Sequence, residues 1–258
     1  MRLVTWNCNL SLSRKIDMLL ALRPDIAVIQ ECEEALAVPP GYVFNWRGNN
    51  PKKGLGVLAK EQEVVINPLV RDEWTYFLPL DFPAMHLRLL ATWAYNHRAT
   101  RFGLGRIGYP LQVLTSLSGW LSEGRSLVVG DFNNSVVWDK PNGPVNFDAI
   151  EAKLSAFGLR SAYHSHTNEE FGSETRSTYF HTKVASKAFH IDYCFVHQSL
   201  SVESVSVPAF EKWRAASDHV PIIIDLSVGK TASPDRQGDK PANTRTPNPG
   251  RKPRASGG

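Results

Sequence analysis

Cysteine is scarce: Cys8, Cys32 and Cys194 are the only three in 258 residues. An odd number without a CxxC spacing argues against a disulfide framework or a closed zinc site and points to small, buried, reduced thiols. No apolar run approaches the roughly 18 residues of a membrane span. No basic segment followed by an apolar one opens the chain, so no secretory leader is expected and the protein reads as cytoplasmic. A phosphate-cradling glycine loop is missing as well. The Gly54/Gly56 pair is too sparse for one and reads as strand where backbones approach closely. No internal repeat stands out.

A basic domain is absent too, although the whole chain carries a formal charge of +4. Residues 228–258 hold seven basic and two acidic residues, leaving residues 1–227 with 22 basic against 23 acidic, a net of −1. That terminal segment also has five prolines, five glycines and no aromatic residue. It is expected to be a disordered tail, either a polyanion-gathering arm or a solubilising end. Residues 1–227, with the chain's 42% hydrophobic content, suffice for one domain with a full core.

What is present is a series of apolar, β-branched runs beside polar clusters. Leu3-Val4-Thr5 leads into Trp6-Asn7, Ile26 to Ile29 into Gln30-Glu31, and Leu127-Val128-Val129 into Gly130-Asp131-Phe132-Asn133. Ser217-Asp218-His219 precedes the run Val220 to Ile224. The runs have the length of buried strands. Carboxylates, amides and an imidazole repeated at half-buried strand ends suggest convergence on one site.

Between the runs, Ser13 is expected to cap a helix through Leu22, and Pro110–Leu121 and Phe147–Phe157 to form helices. Tyr42–Trp46, Gly54–Ala59 and Val64–Ile66 read as successive antiparallel strands. Further strands are expected over Met85–Tyr95, Leu159–Tyr163, Arg176–His181, Phe189–Val196, Val202–Val207 and Val220–Ser227. Strand–helix alternation occurs twice, so two packed sheets with helices outside is the natural architecture.

The clusters suggest a metal-assisted phosphoesterase site. Glu31 offers a hard carboxylate oxygen suited to magnesium or manganese, with the Asn7 amide oxygen beside it. Asp131 and Asn133, one residue apart, face the same side of an extended backbone. One activates or orients water while the other holds phosphate. His219, next to Asp218, supplies a positive donor if a second carboxylate supports it, and Asp192 is the best candidate.

These motifs, with Ile191-Asp192-Tyr193 and Ser217-Asp218-His219-Val220-Pro221, closely resemble the ordered motifs of the endonuclease/exonuclease/phosphatase superfamily. The resemblance spans residues 3–226. It implies a four-layer α/β sandwich, two packed mixed β-sheets flanked by helices, and Mg2+-dependent phosphoester hydrolysis, with Mn2+ as a substitute. By position, it implies that Glu31 is the principal metal ligand, with Asn7 and Asp218 near the metal, and that Asp131 orients or deprotonates the water. It further implies that Asn133 contacts phosphate and that His219, paired with Asp192, stabilises the phosphoryl oxygens. Asn96 falls where the family commonly has a phosphate-contacting residue. Trp93 departs from the tyrosine of exonuclease III-like enzymes and lacks its hydroxyl, so that contact is lost or passes to Tyr95 or His97. His190 replaces a frequent arginine.

Three functions compete. The first is a nuclease or phosphodiesterase acting on DNA, whose loop Tyr95, His97, Arg98, Arg101, Phe102, Arg106 and Tyr109 either grips substrate or is a solvated connection. The second is a phosphatase or phosphodiesterase for a small molecule or lipid headgroup, which the near-neutral domain favours. The third is a catalytically silent binding domain.

Overall fold

Along the central strands, side chains alternate between two cores. Leu127 and Val129 enter one buried cluster and Val128 a second; Ile26 and Val28 join the first, whereas Ala27 and Ile29 enter a third. Period-two patterning with both phases apolar is what a sheet covered on both faces requires. The computed structural model describes residues 1–61, 63–94, 109–143 and 146–227. Asn96, the loop from Tyr95 through Arg106 and the tail at 228–258 lie outside them.

In chain order the elements are β1 (Arg2–Asn7), α1 (Ile16–Leu20), β2 (Ile26–Cys32), β3 (Tyr42–Asn50), β4 (Lys53–Lys60), β5 (Val65–Ile66), β6 (Phe77–Phe82) and β7 (Leu87–Trp93). Then come α2 (Tyr109–Ser116), α3 (Ser118–Ser122), β8 (Ser126–Asp131), α4 (Phe147–Ala156), β9 (Leu159–Ser161), α5 (Ala162–Thr167), β10 (Tyr179–Phe180), β11 (Ala188–Phe189), β12 (Asp192–His197), β13 (Ser201–Ser206) and β14 (Ile222–Ser227).

Two six-stranded sheets, ordered β13-β14-β1-β2-β4-β3 and β5-β6-β7-β8-β12-β9, face each other across the first core. Each contains one parallel pair, β1 with β2 and β7 with β8; the other pairings are antiparallel. A parallel pair needs a crossover. Leu19 of α1 covers the outside of the first sheet, and Val113, Trp120 and Ile150 of α2, α3 and α4 cover the second. The expected four-layer sandwich is the fold the chain adopts, and the twofold strand–helix alternation is its two parallel crossovers.

Several elements differ from expectation for identifiable reasons. Ser13 caps no helix: it lies inside a short 3-10 turn, Leu12–Arg14, in which the backbone N–H groups of Leu12 and Ser13 donate to the Glu33 carboxylate at 2.7 and 2.8 Å, and α1 begins only at Ile16. The helix expected over 110–121 breaks at Leu117, beside Ser116, Ser118 and Gly119, which are weak helix formers. The strand expected through Tyr163 stops at Ser161 and α5 follows. Only Tyr179–Phe180 of the 176–181 run is strand, and the run from Phe189 is interrupted at His190 and Ile191. Val65 and Ile66 pair with β6 in the second sheet rather than continuing the β3–β4 hairpin. β6 itself contains Pro79, a residue that ordinarily argues against a strand. Gly54 and Gly56 lie in β4 as expected, but what they accommodate is aromatic: a Cβ at either would meet the ring of Trp46 or Phe44 from the neighbouring strand.

Candidate active site

The inward-facing phase of each central strand turns polar at one edge of the sandwich. On β1 it runs Leu3, Thr5, Asn7; on β2, Ile26, Val28, Gln30; on β8, Leu127, Val129, Asp131. β12 runs the opposite way and begins with Asp192 opposite Asp131. The same alternation that builds the core therefore brings these groups together.

Beneath the site lies a polar floor. Gln30 Nε2 donates to Thr5 Oγ1 at 3.2 Å and to the Thr92 carbonyl of the facing sheet at 3.4 Å. Gly130 sits beside this bridge with φ 148°, and a Cβ there would strike the Thr92 carbonyl oxygen and approach Gln30 Nε2 to 3.0 Å. Its glycine is required by backbone contact between strands as well as by conformation.

Asp131 is fully buried and held on both oxygens. Asn7 Nδ2 donates to Oδ2 at 3.0 Å; Asn133 donates from its backbone N to Oδ1 at 2.7 Å and from Nδ2 to Oδ2 at 3.0 Å. Asn133 reaches Asp131 from a left-handed backbone at φ 47°, so the two are brought together by a turn, not by extended backbone as expected. Burial, then the neighbouring charge of Asp192, raises the Asp131 carboxyl to about 7, against the lowering by His219 and Asn7.

His219 Nδ1 pairs with Asp192 Oδ2 at 2.9 Å, and both side chains are buried. Burial alone would lower the imidazole's pKa, but the charge and hydrogen bond of Asp192, with Asp131 and Asp218, raise it to about 9. His219 is thus an imidazolium at neutral pH, with the Asp192 bond fixing which face it presents. Ligand atoms of Asp131, Asp192 and His219 all lie within 4.8 Å of one another, a grouping that could hold a metal ion.

Glu31 arrives differently. Strand alternation would send it outward, yet the register shifts between Gln30 and Cys32, and Glu31 takes a left-handed φ of 59°. This bulge turns the carboxylate into the site. Oε1 lies 3.4 Å from Asn7 Nδ2, and Oε2 lies 3.2 Å from Lys53 Nζ. The same ammonium sits 5.3 Å over the ring of Trp93, which the register places opposite Asp131. Asn7 Oδ1 accepts the Asn9 N–H at 3.1 Å, so the amide's hydrogens, not its oxygen, face Glu31 and Asp131.

Asn7, Glu31, Asn133, Asp218 and His219 line a cavity of about 390 Å3 together with Trp138, Tyr179, Phe189 and Ile191. Tyr179 packs its ring 4.7 Å from that of His219. Every predicted site residue among those described therefore lies at one edge. Sequence reasoning marked Ser217 within its cluster but not the supporting contacts it makes, and it did not single out Lys15. Ser217 Oγ donates to the Asn7 carbonyl at 2.7 Å and accepts the His219 N–H at 2.9 Å. Lys15 Nζ lies 2.6, 3.2 and 2.8 Å from the carbonyls of Cys8, Asn9 and Leu10 and 2.6 Å from that of Ala216, joining the loop after β1 to the one before Ser217. A lone lysine in a loop carries no local signal of such contacts. His190, by contrast, faces away from the cavity, its Nδ1 donating to the Arg176 carbonyl at 2.7 Å.

The family model described as Endonuclease/Exonuclease/phosphatase family matches residues 4–219. The chain belongs to the endonuclease/exonuclease/phosphatase family. It is accordingly a phosphoester hydrolase. Among solved structures, a 3′ phosphatase from Neisseria, NExo, bound to a product DNA hairpin, is similar with a TM-score of 0.67 and 19% identity, covering 88% of this chain and 99% of that one. An AP endonuclease from Archaeoglobus fulgidus reaches 0.65 at 18% identity, covering 88% and 99%. The human Nocturnin catalytic domain reaches 0.58 at 18%, covering 88% and 93%. At such identities the likeness concerns the fold. No curated protein sequence matches this family member significantly. No helix among the described residues is long and apolar enough to cross a membrane.

Proposed function

We propose that the protein is a divalent-metal-dependent phosphodiesterase acting on DNA in the cytoplasm, with residues 1–227 as the catalytic domain and the basic 228–258 tail as an arm that attracts polyanions. The observation that carries the reading is the pairing of a cavity-facing acidic group, Glu31 with Asp218, with the buried Asp131 and the Asp192–His219 pair behind it.

The donor set fits a hard cation. Glu31 and Asp218 contribute carboxylate oxygens at the cavity wall, and Glu31 already draws the Lys53 ammonium. Glu31 and Asp218 would hold Mg2+ or Mn2+, with Asn7 beside them keeping Glu31 and Asp131 aligned. Such an ion would supply charge neutralisation at the phosphoryl oxygens and stabilisation of the leaving oxygen. The remaining steps belong to the chain's own groups. Asp131 takes the proton of the attacking water, and Asn133 holds Asp131 in place and contacts the phosphate. His219, charged and aimed by Asp192, donates to a phosphoryl oxygen. Asn96 is assigned a further phosphate contact.

Trp138, Phe189 and Tyr179 offer stacking surface for a nucleoside next to the scissile phosphate. Two of the similar structures are by name a DNA-bound 3′ phosphatase and an AP endonuclease, which supports DNA as the substrate class. The −1 charge of residues 1–227 favours the second reading, a small-molecule or lipid-headgroup phosphoesterase. A panel of abasic duplex, plain duplex, single-stranded DNA, RNA, an aryl phosphodiester and phospholipid headgroups, each with and without chelator, separates them. Hydrolysis indifferent to chelator, or to Asp131→Ala and His219→Ala, would sink the proposed site.

A further inference from the structure

Thr178 fastens together the two strand ends that present Asp192 and His219. It is fully buried, one residue before β10. Its backbone N–H donates to the Phe189 carbonyl at 2.9 Å, and its carbonyl accepts the Val220 N–H at 2.8 Å. Its hydroxyl oxygen accepts two consecutive backbone N–H groups, those of Ile191 and Asp192, each at 3.1 Å. They lie where the chain leaves the β10–β11 ribbon and enters the second sheet, and one hydroxyl with two lone pairs serves both. The clamp continues through its neighbours: Tyr179 forms a bridge with His219, and the Phe180 N–H donates to the Asp218 carbonyl at 2.7 Å.

The hydroxyl matters because of how little else aims Asp192. Asp192 Oδ2 bonds His219 Nδ1, but Asp192 Oδ1 is buried with no hydrogen-bond partner among the described residues. The direction of the carboxylate is therefore set by its backbone, and Thr178 holds that backbone.

We propose that Thr178 is a positioning residue, its hydroxyl holding the Ile191–Asp192 backbone so that the Asp192 carboxylate stays on His219. The consequence for turnover rests on the catalytic reading of the Asp192–His219 pair; the positioning itself does not. Replacing the hydroxyl by a methyl of the same shape leaves two buried N–H groups unmet, and the strand end shifts to find partners.

The test compares full-length wild type, Thr178→Val and Thr178→Ser. The first readout is the downfield proton NMR signal of His219 Nδ1–H, assigned by its loss in His219→Gln and needing no substrate. The expected result is a signal kept in wild type and Thr178→Ser and shifted or lost in Thr178→Val. The second is turnover on whichever panel substrate is cleaved: kcat should fall about tenfold to a hundredfold in Thr178→Val with KM within about twofold, and Thr178→Ser should restore it. If Thr178→Val does not fold, Thr178→Cys, a weak acceptor of similar size, replaces it under the same criteria. An unshifted proton with kcat within about twofold of wild type, whatever the change in melting temperature, would overturn the proposal. Failure of the phosphodiesterase reading looks different: wild type cleaves nothing in the panel, while the NMR comparison still decides the role of Thr178.

Discussion

The two parallel crossovers, β1–α1–β2 and β7–α2–α3–β8, have the same connectivity but deliver their carboxylates in opposite ways. Asp131 at the end of β8 follows the strand alternation, is fully buried and has both oxygens bonded by amides. Glu31 at the end of β2 breaks the alternation through a bulge, faces the cavity and pairs with a lysine that solvent can reach. A carboxylate in regular strand register stays with the core and has its proton affinity raised. One displaced by an extra residue reaches the surface, where it can exchange partners. Under the function proposed above, the difference separates a fixed half that handles the proton from an open half that accepts the cation.

The comparison can be broken most forcefully at the fixed half. Asp131→Ala or His219→Ala should reduce kcat by about 10²- to 10⁴-fold while the purified protein keeps its far-ultraviolet dichroism, as steady-state assays with saturating Mg2+ will read. Gly130→Ala should be the most damaging change to stability, at about 3 kcal/mol or more in denaturant titration, because a Cβ meets backbone of the neighbouring strand β7 at a left-handed φ. Glu31→Gln belongs to the open half. It should leave the unfolding midpoint nearly unchanged but weaken Mn2+ binding, followed by electron paramagnetic resonance without substrate, by about 1–3 kcal/mol.

A pH series sharpens the contrast further. Asp131 has a folded-state pKa near 7, above its ordinary value of 3.8, so its contribution to stability is fully present below about pH 4 and is lost as pH rises through 7. In chelator, Asp131→Asn should therefore gain on wild type as pH increases over that window, by at least about 1 kcal/mol. A constant difference from pH 4 to 8 would mean that the Asp131 carboxyl is not raised in the folded protein. The smallest effect is expected far from both halves, at Arg2 and Asp225, whose carboxylate and guanidinium meet at 2.9 Å at the opposite end of β1. Arg2 holds the Asp225 carboxyl below its ordinary value. Its contribution is present above about pH 4 and is lost as pH falls through the folded pKa, so Asp225→Asn should cost about 0.5–1 kcal/mol at pH 7 and almost nothing near pH 2.

The regular half was the legible half. Leu127, Val129 and Asp131 alternate on a strand, so their common face can be read from spacing alone, and the family motifs fall on the same strand ends. Glu31 was legible as a residue type, but its route into the site was not, because a bulge reverses the face that spacing assigns. Asn133 was placed on the correct side for the wrong reason, since its left-handed turn leaves no mark beyond the asparagine itself. β6 was hidden by Pro79, and the helix expected from Ser13 was displaced by a carboxylate twenty residues away, Glu33. Lys15, Lys53 and Thr178 act through contacts with distant chain segments, which local propensity does not encode.

Lys15 has a consequence of its own. An ammonium surrounded by four backbone carbonyls is a tethered monovalent cation: it does for two loops what a bound potassium ion does elsewhere, and it cannot be dialysed away. Under the proposed metal-dependent function, Asn7 and Asp218 should accordingly stay in place without the metal, so that loading it fills a prepared seat instead of building one.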